Sequence, residues 1–166
     1  MYYRRSLEGR ERTQGRDHYN TLSAVSNMGI LLKQQGKLSL AEPFLRRALE
    51  GSERTMGPDY SETLKAVANM GMLLHDQGKL DLAEPFLRRA LEGSERTVGR
   101  DHPSTLTLVA NMGMLLHAQG KLKEAEPFFR RTLEGCERTL GSEHPNTRDF
   151  RKNLGLLLEA MERRGK

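Results

Sequence analysis

Hydrophobic residues recur along the chain at the spacing of an amphipathic α-helix, in runs that are interrupted at regular intervals. In one run Leu22, Val25 and Leu32 fall on a single helical face, and Gly36, within a Gln-Gly-Lys sequence, marks its end. A second run at 38–49 follows directly. No stretch alternates hydrophobic and polar residues over the length of a strand. The pattern therefore predicts an all-α fold built from pairs of helices.

The helix pair repeats with a period of 42 residues. Residues 36–77 and 78–119 align without gaps and are identical at 33 of 42 positions. Two helices of this length cannot bury their apolar faces alone, whereas stacked pairs can, so the period predicts an α-solenoid of about eight helices. The predicted units are a lone second helix with its connection at 1–18, helix pairs at 19–60, 61–102 and 103–144, and a terminal helix at 145–166.

The helix starts are marked by proline and histidine. Pro43 is predicted to lie in the first turn of a second helix that begins near Ser39, where a missing N–H costs little. His18, His102 and His144 fall in the connections, where we expect them to cap or pack against the first helices.

The two ends of the chain differ from the repeats between them. Arg148 and Arg151 stand where the other first helices carry leucine and valine, so we expect the terminal helix to be a polar cap. At the other end, Tyr2 and Tyr3 lack a preceding first helix. That open end offers a route to self-association.

The spacing Val25-x2-Met28-Gly29, followed by Ala41-x3-Leu45, resembles the tetratricopeptide repeat. The longer period, together with Asn-x-Gly, GKLxxAEPFxRRxLE and GxDHPxT, is similar to the kinesin-light-chain type of that repeat. The resemblance covers nearly the whole chain. It implies a right-handed superhelix of antiparallel helix pairs, in which the first helices line a concave groove. It also implies a non-catalytic scaffold for protein binding, without naming the ligand.

One asparagine recurs in every first helix, within otherwise apolar sequence: Asn27, Asn69, Asn111 and Asn153. Each amide either bonds a neighbouring helix as part of the structure or faces the groove that the resemblance implies, where it could grip the backbone of an extended peptide. The same face carries the other predicted groove residues, which are Ile30, Met72, Met114, Lys33, Lys65, His75 and His117. Because the charges of this face are mixed, an acidic ligand is only mildly preferred.

The net charge of +5 is concentrated at the two ends of the chain. Within the repeats, Glu42 and Arg46, and likewise Glu50 and Arg54, are spaced to form ion pairs along one helix. A nucleic-acid interface would need unpaired basic residues in every unit, so nucleic-acid binding is the weakest of the functions considered.

No catalytic, metal or cofactor site is expected. The glycines near Lys37 have the wrong spacing for a phosphate loop. His75 and His117 are equivalent but lack a recurring third ligand, and Cys136 has no activating histidine nearby in sequence. The apolar runs are too short to span a membrane and no secretory signal is visible, so we expect a cytoplasmic protein.

Two main functions therefore remain open. The first is a scaffold that binds an extended peptide or partner segment in the groove. The second is a structural unit that assembles end to end or as a dimer. Dilution distinguishes them, because only the second requires a concentration-dependent oligomer.

Overall fold

The computed structural model describes residues 9–164, which form helices joined by short connections. Within that range there are eight helical segments and no strand, so the predicted all-α fold is confirmed. The helices are α1 at 9–14, α2 (Tyr19–Gln34), α3 (Leu38–Met56), α4 (Ser61–Asp76), α5 (Leu80–Thr97), α6 (Pro103–Ala118), α7 (Leu122–Leu140) and α8 (Pro145–Arg164). The predicted sticky end at Tyr2 and Tyr3 lies outside the described residues.

The chain divides into two compact units, at 1–90 and 91–166. In the first unit α3 packs against both α2 and α4, and α2 also contacts α4. In the second unit α7 packs against both α6 and α8. In each unit, then, one second helix lies against two first helices, which is the arrangement that the helix-pair repeat predicts.

The Gln-Gly-Lys sequences end the first helices as predicted. After α2, Gly36 adopts a φ of +72°, a left-handed conformation that glycine reaches without a steric penalty. Its N–H donates to the carbonyl of Lys33, and the N–H of Lys37 donates to the carbonyl of Leu32, each at 2.9 Å. This pair of hydrogen bonds caps the helix carboxyl end, and it recurs after α4 and α6.

Histidine caps three of the first helices, which confirms the prediction for His18, His102 and His144. In each case the ring Nδ1 accepts the backbone N–H of the residue two positions later, at 3.2 Å. Tyr60 occupies the equivalent position before α4 and makes no side-chain capping bond. One of the four starts therefore lacks the hydrogen bond that the others have.

The predicted position of Pro43 in a first helical turn is wrong. Helix α3 begins at Leu38, so Pro43 is its sixth residue. The backbone hydrogen bonding of α3 has already begun before Pro43, because the N–H of Ala41 donates to the carbonyl of Lys37 at 3.0 Å. Proline has no N–H to donate to the carbonyl of Ser39, and one bond of the helix is lost. The same holds at the equivalent prolines of α5 and α7.

An arginine in each second helix joins that helix to the preceding second helix and to the connection between the repeats. In the second unit, one guanidinium nitrogen of Arg131 donates to Glu95, and the other donates to the carbonyl of Arg100 at 2.8 Å. The same arrangement is made by Arg47 with Glu11 and Arg16, and by Arg89 with Glu53 and Pro58. The side chains of Arg131 and Glu95 are 22% and 29% exposed, so solvent screens this pair less than an open surface pair.

We expect Arg131→Gln to lower the free energy of unfolding by about 1–2 kcal/mol, because it removes two charge-assisted hydrogen bonds from a partly buried site. The neighbouring Arg130 is the matched control. It pairs only with Glu126, along its own helix, and its side chain is 52% exposed. Urea unfolding of Arg130→Gln should differ little from that of the parent. Equal losses in the two variants would show that the interhelical bonds add nothing.

Candidate functional site

A cleft of about 240 Å³ lies between α2 and α4 in the first unit. Four of the predicted groove residues line it: Asn27, Ile30, Lys65 and Asn69. Its floor is apolar and is completed by Leu22, Ala48, Met56 and Ala66, and its remaining lining is polar, with Tyr19, Ser23, Ser26, Ser52 and Glu62. The structure thus brings part of the predicted set together around one concave site.

Two small side chains keep the cleft open. Ala48 and Ala66 are almost completely buried, at 1% and 4% exposed. At the equivalent positions of the second unit the chain carries Thr132 and Phe150, both of them larger. The residues that line the α2–α4 cleft at these two positions are thus smaller than their equivalents in the second unit.

The asparagines of the repeated row occupy different environments. The side-chain nitrogen of Asn69 donates to the hydroxyl of Ser26 at 3.3 Å, which joins α4 to α2. That bond uses one of the two amide hydrogens and leaves the carbonyl oxygen as an acceptor. Asn27 is exposed at the cleft. Asn69 therefore has a structural partner, whereas Asn27 has the environment expected of a ligand-binding amide.

The lysines that sequence placed on the groove face are paired with carboxylates. Lys65 donates to Glu62 at 3.1 Å, and Lys33 donates to Asp76 at 2.9 Å. His75 also contacts Asp76, at 3.1 Å. Partial burial of Asp76 alone would raise its pKa, but the hydrogen bonds from Lys33 and His75 outweigh burial and hold that pKa below its usual value. The pairs neutralise much of the positive charge of this face.

The remaining predicted groove residues are spread over both units. In the first unit Met72 is half-buried on α4. In the second, Asn111 is half-buried, Asn153 is exposed, and Met114 is 40% exposed. The ring of His117 stands edge-on to Phe129, with 6.3 Å between centroids. Their role in binding stays a prediction.

The tetratricopeptide repeat model matches residues 1–54, 62–134 and 105–166, which together cover nearly the whole chain. The chain belongs to the tetratricopeptide repeat family. Repeats of this family generally mediate protein–protein interaction or self-assembly, and the family generally consists of non-catalytic scaffolds. No curated protein sequence matches the chain.

Solved structures of kinesin-light-chain-like repeats resemble the chain in fold. BtubC (BKLC) from P. vanneervenii is 23% identical, with a TM-score of 0.79 over 96% of this chain and 64% of its own. A Podosopora anserina putative kinesin light chain with nearly identical TPR-like repeats is 18% identical, with a TM-score of 0.78 over 98% of this chain and 77% of its own. A variant of that Podosopora anserina protein gives a TM-score of 0.80 at the same identity and coverage. The tetratricopeptide repeat chain is thus an all-α helical repeat solenoid, similar in fold to kinesin-light-chain-like repeat proteins.

The charged surface of this repeat protein is largely paired within itself. The predicted pair of Arg46 with Glu42 is confirmed at 2.8 Å. Hydrogen bonds from Gln77 and Arg46 lower the pKa of Glu42. The predicted pair of Glu50 with Arg54 is wrong, because Arg54 instead reaches Asp17 of the preceding connection at 2.6 Å. An interrepeat partner thus replaces the one expected along the helix.

Other chemistry is limited within the residues that the structure describes. No group of three or more histidine, cysteine or acidic side chains is placed to hold a metal ion. Burial raises the pKa of the Cys136 thiol, which makes the thiolate form less accessible at neutral pH. Across 9–164, no helix combines the length and apolar character that a membrane span requires.

Sequence reasoning did not identify the residues that give the cleft its shape. Ala48 and Met56 lie on a second helix, and Tyr19 and Ala66 do not recur in every unit, so neither the first-helix face nor the repeat pattern indicated them. A comparison of residue size at equivalent positions would have found the two alanines. No signal in the sequence shows that the hydroxyl of Ser26 reaches Asn69 in the next repeat.

Proposed function

We propose that this tetratricopeptide repeat chain is a non-catalytic interaction module that binds an extended segment of a partner protein, anchored in the α2–α4 cleft. The observation that carries the proposal is the combination of an apolar floor with amide and hydroxyl groups around it. Such a site accepts an apolar side chain while its polar groups bond the adjoining backbone. Within the first unit, Lys33, Met72 and His75 extend this binding face in the proposal.

The size of the cleft favours a side-chain anchor over a whole cofactor. Sites for drug-sized ligands usually measure roughly 300–1,000 Å³, which exceeds the 240 Å³ of the α2–α4 cleft. A dry cavity of about 150 Å³ holds benzene. The cleft therefore has room for one large side chain, with the rest of the segment lying outside it.

Asn27 is the residue best placed to hold the backbone of such a segment. A primary amide both donates and accepts, which matches the alternating N–H and C=O groups of an extended chain. Its exposure at the cleft leaves it accessible to a partner. The single cysteine of the chain suits a reducing compartment, and we place this binding activity in the cytoplasm.

The test is a selection from displayed peptides of roughly ten residues. An extended peptide of that length spans about 33 Å. Affinities of the enriched peptides are then measured for variants. Asn27→Ala should weaken binding about three- to ten-fold, the loss expected from one or two hydrogen bonds. Ala66→Phe should weaken peptide binding further, because the larger side chain fills the apolar floor of the cleft. Helix α8 already carries phenylalanine at the equivalent position, Phe150.

Arg46→Ala is the matched control, because Arg46 lies on a second helix, is exposed and, among the residues that the structure describes, pairs with Glu42 along α3. The Arg46→Ala variant should bind the enriched peptides with the affinity of the parent. The circular dichroism spectra of all three variants should remain those of a helical protein. If Arg46→Ala weakened peptide binding and neither Asn27→Ala nor Ala66→Phe did, the ligand would lie on the second helices. That result would contradict the proposal.

Self-assembly is the alternative function, and exposed leucines favour it. Leu40 in α3 and Leu82 in α5 are each 59% exposed, at equivalent positions of consecutive second helices. Sedimentation velocity over a dilution series decides between the two functions. A monomer at all concentrations supports the interaction module, whereas an oligomer that dissociates on dilution supports assembly.

A further inference from the structure

We infer that the α2–α4 cleft selects an uncharged segment of its partner and discriminates against acidic and basic ones. The inference rests on the proposed function and names the chemistry of the segment that the cleft takes. It follows from the pairing of the charged groups at the cleft, from the polar groups that remain there, and from the small size of the floor.

The positive charge at the cleft is already compensated. Lys65 is the lysine that lines the cleft, and Glu62, also a lining residue, accepts its ammonium hydrogen bond at 3.1 Å. One turn beyond Ile30, Lys33 is bound to Asp76 and is only 19% exposed. Lys65 is 62% exposed, so a ligand carboxylate can reach it, but Glu62 lies beside it and opposes the approach of a second negative charge. A basic ligand meets the opposite arrangement, so the pair gives no net preference for either sign.

The other polar groups of the lining carry no charge. Hydroxyls come from Tyr19, Ser23, Ser26 and Ser52, and primary amides from Asn27 and Asn69. These groups both donate and accept, so they satisfy backbone and neutral polar groups of either kind. They supply no opposite charge for an ionised group of the ligand. Such a group loses bound water when it enters the cleft, and that loss costs free energy unless an opposite charge compensates it.

The apolar floor is the second determinant. Because Ile30 and Met56 line the cleft and are only half-buried, a ligand side chain can replace water over an apolar surface there. Removal of apolar surface from water is insensitive to ionic strength, whereas attraction between exposed charges is screened by salt. Binding through this cleft should therefore be nearly independent of salt concentration.

The experiment uses the peptides enriched by selection on the full chain. For one enriched peptide, three forms are synthesised, in which the central residue is unchanged, aspartate or lysine. Their dissociation constants are measured at about 50 mM and about 300 mM NaCl. The unchanged, neutral peptide should bind most tightly and change by less than about two-fold with salt, while both charged forms bind about ten-fold more weakly.

A substitution that removes one charge at the cleft gives the sharper test of this selectivity. Glu62→Gln removes the partner of Lys65, so it should increase the affinity for the aspartate form by about two- to five-fold, the range of an exposed ion pair, and make that affinity fall as salt is added. Glu126→Gln is the matched control. It changes the net charge equally and releases Arg130 of a second helix in the other unit, so the same peptide should not respond.

The possible outcomes distinguish a failure of this inference from a failure of the proposed function on which it rests. Enrichment of acidic peptides that weaken about ten-fold with salt, and that lose affinity in Lys65→Gln, would overturn the uncharged selectivity while leaving a peptide-binding cleft. If no peptide is enriched, or if Ala66→Phe leaves the affinity of the enriched peptides unchanged, the cleft is not the binding site and the proposed function itself fails.

Discussion

Ala83→Arg is expected to lower the free energy of unfolding by about 3–5 kcal/mol, a large part of the stability of a protein of this size. Ala83 is 0% exposed, and its equivalents Ala41 and Ala125 are buried to the same extent. An arginine there either places a charge in an apolar contact or forces two helices apart. Thermal and urea unfolding measure the loss.

Leu82→Arg is the matched control for Ala83→Arg. The two residues are adjacent in α5, yet Leu82 is 59% exposed. The same new side chain can extend into water at 82, so the midpoint of unfolding should change little. If the two variants unfolded at the same urea concentration, the register of α5 in the structure would be wrong.

Gly29→Val is expected to be the next most destabilising change, at about 2–3 kcal/mol. A Cβ atom at Gly29 would lie 2.6 Å from Cδ2 of Leu45 and 3.2 Å from its backbone nitrogen. Leu45 is 1% exposed, so its side chain has no free space into which to move. The glycine of the Asn-x-Gly sequence is thus a point of close approach between α2 and α3. Urea unfolding measures the effect.

The fourth copy of that glycine offers an internal control. Gly155 occupies the equivalent position in α8, and a Cβ atom added there meets nothing within 4 Å. Gly155→Val should therefore leave stability unchanged or slightly improved, since valine is a better helix former than glycine. A loss at Gly155 as large as that at Gly29 would show that helix propensity, and not the close approach to Leu45, governs both positions.

The fold was predictable because its determinants repeat. The periodic leucines and valines, the buried Ala41, Ala83 and Ala125, and the Gln-Gly-Lys helix ends occur in unit after unit, so each observation in the sequence was made several times. Pro43 was misplaced because the helix was taken to begin near Ser39, although the apolar run already includes Leu38, where α3 in fact begins.

The binding face was predicted less completely because its properties depend on pairs of residues from different repeats. The spacing of Lys33 and Lys65 places both on one helix face, but the carboxylate that binds Lys33 is Asp76, 43 residues later. In the same way Arg54 finds Asp17 in a connection. The Glu62–Lys65 pair, by contrast, lies within one helix, at a spacing that the sequence itself contains.

The most direct test of the central claim is a nuclear magnetic resonance titration of the isotope-labelled chain with an enriched neutral peptide. Binding in the α2–α4 cleft predicts that the side-chain amide resonances of Asn27 and Asn69 shift first and furthest, together with the backbone of Ser23 and Ile30. Shifts confined to α3 around Leu40 and Arg46, with the Asn27 amide unmoved, would contradict it.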